Sequence, residues 1–210
     1  MTLATLFKKK CKVVFLASGR GSNLLAVLKE IQSGKIRADV LAIISENPDS
    51  KALEIAEQYK IKPVVVPFRD FKGRRDEFDR KLNETLAALS PDLIIAAGYM
   101  KILAPLTIRS FKNRIINIHP SLLPAFPGIN SQKQAFDYGV KFTGCTAHFV
   151  DEGTDTGPII MQSVVEISKN MTEKDVNLAI LREEHKILPM SVKYFCENKL
   201  LIEGRKVTIK

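Results

Sequence analysis

Tryptophan is absent from this 210-residue chain, and aromatic residues of all kinds make up only 7% of it. No basic segment is interleaved with aromatics in the manner of base-stacking platforms, so a nucleic-acid partner is not expected. Cysteine is scarce: Cys11, Cys145 and Cys196 form an odd set with no Cys-x-x-Cys spacing. That argues against a disulfide framework or a zinc cluster and leaves buried thiols as the expectation. Histidine numbers three. By type alone His119, His148 and Asp155 could ligate a metal, yet no His-x-x-x-His or cysteine-rich spacing supports that, and no metal is expected. No apolar run approaches the roughly 18 residues of a membrane span, and the segment from Met1 to Cys11 lacks the apolar stretch and cleavage site of a secretory signal. A cytoplasmic protein without a membrane partner is expected.

What is present fits one globular domain over residues 1–210, with 45% hydrophobic and 26% charged residues and ample length for a core. A net charge of +9 suits an anionic ligand. Part of it lies at the ends, in Lys8, Lys9, Lys10, Arg205, Lys206 and Lys210, where a solvated surface is the plain explanation.

Apolar runs alternate with helical patterns through the first half, as parallel strands joined by crossover helices do. Residues 12–17, 40–45, 63–67 and 92–97 read as strands, and their near-continuous apolarity implies burial on both faces. Between them, Leu24, Val27, Leu28 and Ile31 follow the helical rule until Gly34, and Phe78, Leu82 and Leu86 recur every four residues in a charged segment. Beyond Asn117 the texture changes. Residues 143–150 and 158–165 are strand-like at hairpin spacing, a long helix is predicted over about 172–198, and a short strand-like tail follows. The expected architecture is α/β: a mostly parallel twisted sheet with helices on both faces.

Three segments carry the candidate chemistry. Gly19-Arg20-Gly21-Ser22-Asn23 follows the first strand and opens the first helix, where glycines allow a tight turn and free amides can cradle a phosphate. Without a third glycine or a Lys-Ser/Thr pair it is neither a dinucleotide fingerprint nor a Walker loop; a strand-to-helix turn that simply needs glycine is the alternative. Residues 98–103, Gly-Tyr-Met-Lys-Ile-Leu, follow the fourth strand on the same carboxyl edge. Their apolar groups around one lysine suit a flat heterocycle, or else are core. Third, Asn117-Ile118-His119-Pro120 ends a strand so that Asn117 and His119 share a face. An arbitrary histidine is more often a satisfied core residue. Here a same-face amide, a strand-ending proline and the loop carboxylate of Asp155 favour acyl-group chemistry. His148 reads as a supporting residue, and Ser121, set among prolines, as structural rather than nucleophilic. Glu184 interrupts an apolar helical stripe, so it either pairs internally or faces a ligand.

Taken together these segments, with residues 144–150, residues 155–160 and Glu184-His185, resemble the phosphoribosylglycinamide formyltransferase family of purine synthesis over nearly the whole chain. The Asn-x-His-Pro-Ser-Leu-Leu-Pro element is also similar to that of methionyl-tRNA formyltransferases; the Gly-x-Gly-Ser-Asn loop and single-domain length select the glycinamide branch. The resemblance implies a Rossmann-like formyltransferase fold, with a phosphate-binding half over about 11–112 and a catalytic and folate-binding half over about 113–210. It implies that Gly21, Ser22 and Asn23 hold the ribose phosphate, with Arg75, or its neighbour Arg74, as a further phosphate ligand. Lys101, Ile102 and Leu103 would line the folate pocket, Glu184 would contact the glycinamide part, and Asn117, His119 and Asp155 would be catalytic. The co-substrate would be 10-formyltetrahydrofolate, the other partner phosphoribosylglycinamide, and the assembly a monomer or homodimer.

In the implied reaction the amine attacks the formyl carbon while Asn117 and protonated His119 stabilise the oxyanion, a role worth about 2.7–4 kcal/mol per donor, and Asp155 assists proton transfer. One departure stands out. Family members commonly carry histidine after the Pro-Gly loop, whereas this chain reads Ile129-Asn130-Ser131-Gln132-Lys133-Gln134. Rival readings are a formyltetrahydrofolate hydrolase, which needs no phosphate loop, and a non-catalytic nucleotide- or RNA-binding α/β module, suggested by the net charge of +9, which leaves Asn117, His119 and Asp155 without a joint task.

Overall fold

Along β1 (Cys11–Leu16) successive side chains divide between two cores, Val13 and Phe15 to one side and Val14 and Leu16 to the other. This two-sided burial explains the unbroken apolar runs, since a parallel sheet is covered by helices on both faces. In the computed structural model, which describes residues 9–210, β1 pairs in parallel with β2 (Ala38–Ser45) and β4 (Leu93–Ala96). The edge strand β3 (Pro63–Val65) extends β2, and β5 (Ile115–His119) extends β4. Proline opens β3, an edge position that tolerates a missing N–H. The hairpin β6 (Phe142–Phe149) and β7 (Ile159–Glu166) then runs antiparallel on β5. The full order is β3-β2-β1-β4-β5-β6-β7-β9-β8. The tail is thus not one strand but a hairpin, β8 (Leu200–Glu203) and β9 (Lys206–Ile209), joined to β7 through the single pair Ile159 and Lys206.

The helices take the faces that their patterns assign. One core gathers Leu24, Val27 and Leu28 of α1 (Ser22–Gln32), Ala52 and Ala56 of α2 (Lys51–Gln58), and Ile180, Leu188 and Val192 of a long carboxyl-terminal helix. The opposite core gathers Phe78, Leu82 and Leu86 of α3 (Arg75–Leu89) with Ile108 of α4 (Pro105–Ser110). After α5 (Ser131–Tyr138), that long helix, α6 (Glu173–Cys196), starts at Thr172, whose hydroxyl and Asp175 form a reciprocal capping box. Cys11 and Cys145 are buried, Cys196 half-buried. Among the described residues no helix is long and apolar enough to cross a membrane. The expectation for the basic amino-terminal segment falls largely on residues 1–8, outside the described residues.

Candidate active site

Ile116 and Ile118 of β5 point into the core beneath α6, which turns Asn117 and His119 to the opposite face. On the neighbouring strand, Cys145, Ala147 and Phe149 take the α6 side, so Thr146 and His148 join them as the cross-strand partners of His119 and Asn117. Asn117 Nδ2 lies 3.3 Å from His148 Nε2, and His148 Nδ1 lies 2.9 Å from the Phe149 carbonyl. A carbonyl only accepts, so Nδ1 carries the proton and Nε2 accepts from Asn117. Burial of the ring, its largest influence, pushes the pKa of His148 below the usual range and keeps this neutral form. One N–H of the Asn117 amide is committed to His148; the other is available to a substrate oxygen.

His119 is clamped at both nitrogens. Nε2 donates to the Phe126 carbonyl at 2.9 Å, and Nδ1 lies 3.3 Å from Asp155 Oδ2. The carboxylate of Asp155 also accepts from the Gly128 amide at 2.8 Å, and its other oxygen is 3.7 Å from His148 Nε2. The loop over residues 150–158 therefore folds back across the sheet face. Glycine at 157 permits this, because a Cβ there would stand 1.8 Å from the Phe149 carbonyl. Phe126 and Asp155 both have positive φ, a conformation that costs a non-glycine residue energy and that the surrounding contacts must hold.

At the exit of β1, Gly21 precedes α1 at φ 73°, and a Cβ there would lie 2.7 Å from Ile55 Cδ1. Both the left-handed conformation and the approach of α2 demand glycine. The first turn of α1 has no side-chain cap and no acidic residue, which leaves its amides and the positive helix end for an anion. The side chain of Asn23 faces inward, its Nδ2 donating to Glu184 Oε2 at 2.8 Å. Glu184 is 6% exposed, and burial raises its carboxyl above the usual range, with the Asn23 bond opposing that shift. Of the two options open to this carboxylate, the structure shows internal pairing.

The segment after β4 splits the expectation for its apolar residues. Leu103 is core, whereas Met100 and Ile102 project into solvent at 74% and 75% exposure. Lys101 Nζ sits 4.2 Å from the centroid of the Phe68 ring. Arg75, at the start of α3, bonds Asp79 at 2.8 Å and the Ile102 carbonyl, with its guanidinium 5.8 Å from the rings of Phe68 and Phe78. Arg74 instead pairs with Glu77 on the surface. Arg75 thus fastens the exposed apolar segment, a role that its position in sequence did not signal.

Other participants also escaped sequence reasoning. The Phe126 carbonyl and Gly128 amide belong to backbone and carry no side-chain signature; the Pro127-Gly128 dipeptide marked a turn but not a contact to Asp155. Ser121 is fully buried and donates to the Ala125 carbonyl at 2.6 Å, a loop brace. In the departing segment, Ile129 is exposed and Ser131 Oγ reaches the Pro120 carbonyl at 3.4 Å. Among the described residues no cluster of three or more His, Cys, Asp or Glu could hold a metal.

An α/β sheet of this order, with an uncapped helix start, an exposed apolar segment and the Asn117, His119 and Asp155 cluster at its carboxyl edge, fits the formyl transferases, and the chain belongs to that family, whose pattern, described as "Formyl transferase", matches residues 11–192. Within it the likeness is to the phosphoribosylglycinamide formyltransferases. The Escherichia coli K12 enzyme of that name is 35% identical over 188 residues, 90% of this chain and 88% of that one. The crystal structure of glycinamide ribonucleotide transformylase 1 from Symbiobacterium toebii superposes with a TM-score of 0.91 at 42% identity, covering 95% of this chain and 94% of that one. The trifunctional purine biosynthetic protein adenosine-3 of Drosophila melanogaster is 39% identical over 203 residues, 96% of this chain but 15% of that protein.

Proposed function

We propose that the chain transfers the formyl group of 10-formyltetrahydrofolate to the amine of 5'-phosphoribosylglycinamide, with Asn117, His119 and Asp155 as its catalytic residues. The observation that carries this reading is His119 held between Asp155 and the Phe126 carbonyl, beside Asn117 at the end of β5 and next to β4, whose following segment bears Met100 and Ile102. The amides of Gly21, Ser22 and Asn23 receive the ribose phosphate. Lys101, Ile102 and Leu103 bound the folate side, where the exposed side chains of Met100 and Ile102 offer an apolar face to a planar ring. Arg75 serves as a further ligand of the phosphate, and Glu184, paired with Asn23 Nδ2, contacts the glycinamide part.

Held at contact distance, the amine attacks the formyl carbon and a C–N bond forms. The carbonyl oxygen takes the negative charge and is met by the free N–H of Asn117 and by His119 Nε2–H, once the latter leaves the Phe126 carbonyl. Collapse breaks the bond to the folate nitrogen, and the proton lost by the amine passes to that nitrogen with the help of Asp155. Metal-free catalysis by a cytoplasmic monomer or homodimer on small-molecule substrates completes the reading.

The test is formyl transfer between the two substrates by the wild type and by Asn117→Ala, His119→Ala and Asp155→Ala. Losses of about 100-fold or more in kcat are expected for each. An inactive wild type, formate release without transfer, or three fully active variants overturns the proposal. Gly21→Val is expected to raise KM for the ribonucleotide far more than KM for the folate; equal effects remove the phosphate assignment.

A further inference from the structure

The sheet order places β1 beside β4 while the chain winds outward from that pair in both directions, so the crevice between their carboxyl ends is the topological switch point, where open α/β sheets bind ligands. Beyond the bond from the Ala97 amide to the Leu16 carbonyl at 3.0 Å, two more hydrogen bonds cross it. The Ser18 amide donates to the Gly98 carbonyl at 3.1 Å, and the Met100 amide donates to Ser18 Oγ at 2.8 Å. The single hydroxyl proton of Ser18 goes to Glu46 Oε2, also at 2.8 Å. Glu46 Oε2 accepts that proton, which fixes the direction of the hydroxyl and leaves a lone pair aimed at Met100. Ser18 and Glu46 are each 8% exposed.

Glu46 is anchored on a further side. Its own carbonyl accepts from the Phe68 amide at 3.2 Å, and the Phe68 ring is the one against which Lys101 and Arg75 lie. One side chain at the end of β2 thus touches the loop that leads to Gly21 and, through one hydroxyl, the segment that carries Met100 and Ile102. A buried carboxylate held by one hydroxyl is a costly way to fill space, and a role in setting the two loops explains its presence.

We propose that Glu46 is a positioning residue that, acting through the Ser18 hydroxyl, sets residues 98–103 against the phosphate loop and couples the binding of the two substrates. The kinetic side of this inference rests on the formyl-transfer reading; its structural side does not.

The experiment compares wild type, Glu46→Ala, Glu46→Gln, Ser18→Ala and the double variant Ser18→Ala with Glu46→Ala. Hydrogen exchange is followed at the Met100 amide, and steady-state kinetics are measured with both substrates. Glu46→Ala and Ser18→Ala are each expected to accelerate Met100 exchange and to raise the folate KM about tenfold, the scale of one hydrogen bond to a charged group, with kcat changed far less. The double variant should be no worse than either single one, since both remove the same link. Glu46→Gln, whose amide oxygen can still accept from Ser18, should restore slow exchange and most of the folate affinity. Additive losses, unchanged Met100 exchange in Ser18→Ala, or no rescue by Gln overturns the inference, and Ser18→Ala with Glu46→Gln decides it if Glu46→Ala does not fold. A wild type that transfers no formyl group defeats the functional reading alone, because the exchange measurements still report the positioning.

Discussion

His148 holds one N–H of the Asn117 amide and is itself pinned by the Phe149 carbonyl. Replacing it with Ala frees the amide to rotate, and kcat is expected to fall about 10- to 100-fold, less than loss of a whole oxyanion donor, with the ribonucleotide KM nearly unchanged; steady-state kinetics check the split. Its titration has a sign. The folded ring protonates less readily than a free imidazole, whose ordinary pKa is 6.5, so its contribution to stability is present above pH 6.5 and is lost as pH falls through the depressed folded value. Denaturant unfolding across that range should show stability declining toward acid, with a shallower decline in His148→Asn. Glu184 runs the other way. Its folded carboxyl is raised above 4.5, so that contribution is present below pH 4.5 and is lost as pH rises through the raised value. Glu184→Gln keeps an acceptor for Asn23 and removes the buried charge, so it should melt at or above the wild type at pH 7, with the difference shrinking below pH 4.5. A lower melting temperature at pH 7 counts against this account.

At the scale of elements, the turn between β6 and β7 decides whether a centre exists at all. Gly157→Ala sets a methyl against the Phe149 carbonyl, and a destabilisation of about 1–3 kcal/mol or more is expected, read as a shift in the denaturant midpoint. Activity should fall with it, because the same backbone approach carries Asp155 to His119. The capping box of α6 is a milder device: Thr172→Ala should cost about 1 kcal/mol. Pro189 lies inside α6, where propensity alone would break the helix; Ile187, Leu188 and Val192, all buried in the core, hold it there. Periodicity was a sound guide to elements with a consistent buried face, such as Phe78, Leu82 and Leu86 on α3. It was a poor guide to the tail, whose two short strands meet β7 at one residue pair and have little burial to impose a pattern.

Across the whole molecule one sheet runs through the described residues, with a core on each face. Phe78→Ala, in the core opposite α6, is therefore expected to cost about 3–5 kcal/mol and to lower one shared transition rather than produce a separate one for the two halves of the chain. Circular dichroism and intrinsic tyrosine fluorescence should trace the same curve; two resolved transitions would reveal independent halves. The site depends on this continuity, since its groups come from the ends of β1, β2, β4 and β5 and from the loop that follows β6.

The alternation of strand and helix, the two-faced burial, the shared face of Asn117 and His119, and the glycine turn before α1 were all legible in the residues alone. Each of these follows from a period or a local backbone requirement that a short stretch of residues contains. It took the folded chain to show that Asn23 turns to Glu184, that Arg75 grips the Ile102 carbonyl, that Phe126 and Gly128 complete the surroundings of His119 and Asp155, and that Ser18 and Glu46 link the ends of β1, β2 and β4. Those contacts join residues distant in the chain, several through backbone groups that every residue possesses. No side-chain pattern encodes a partner of that kind until the sheet has brought the strand ends together.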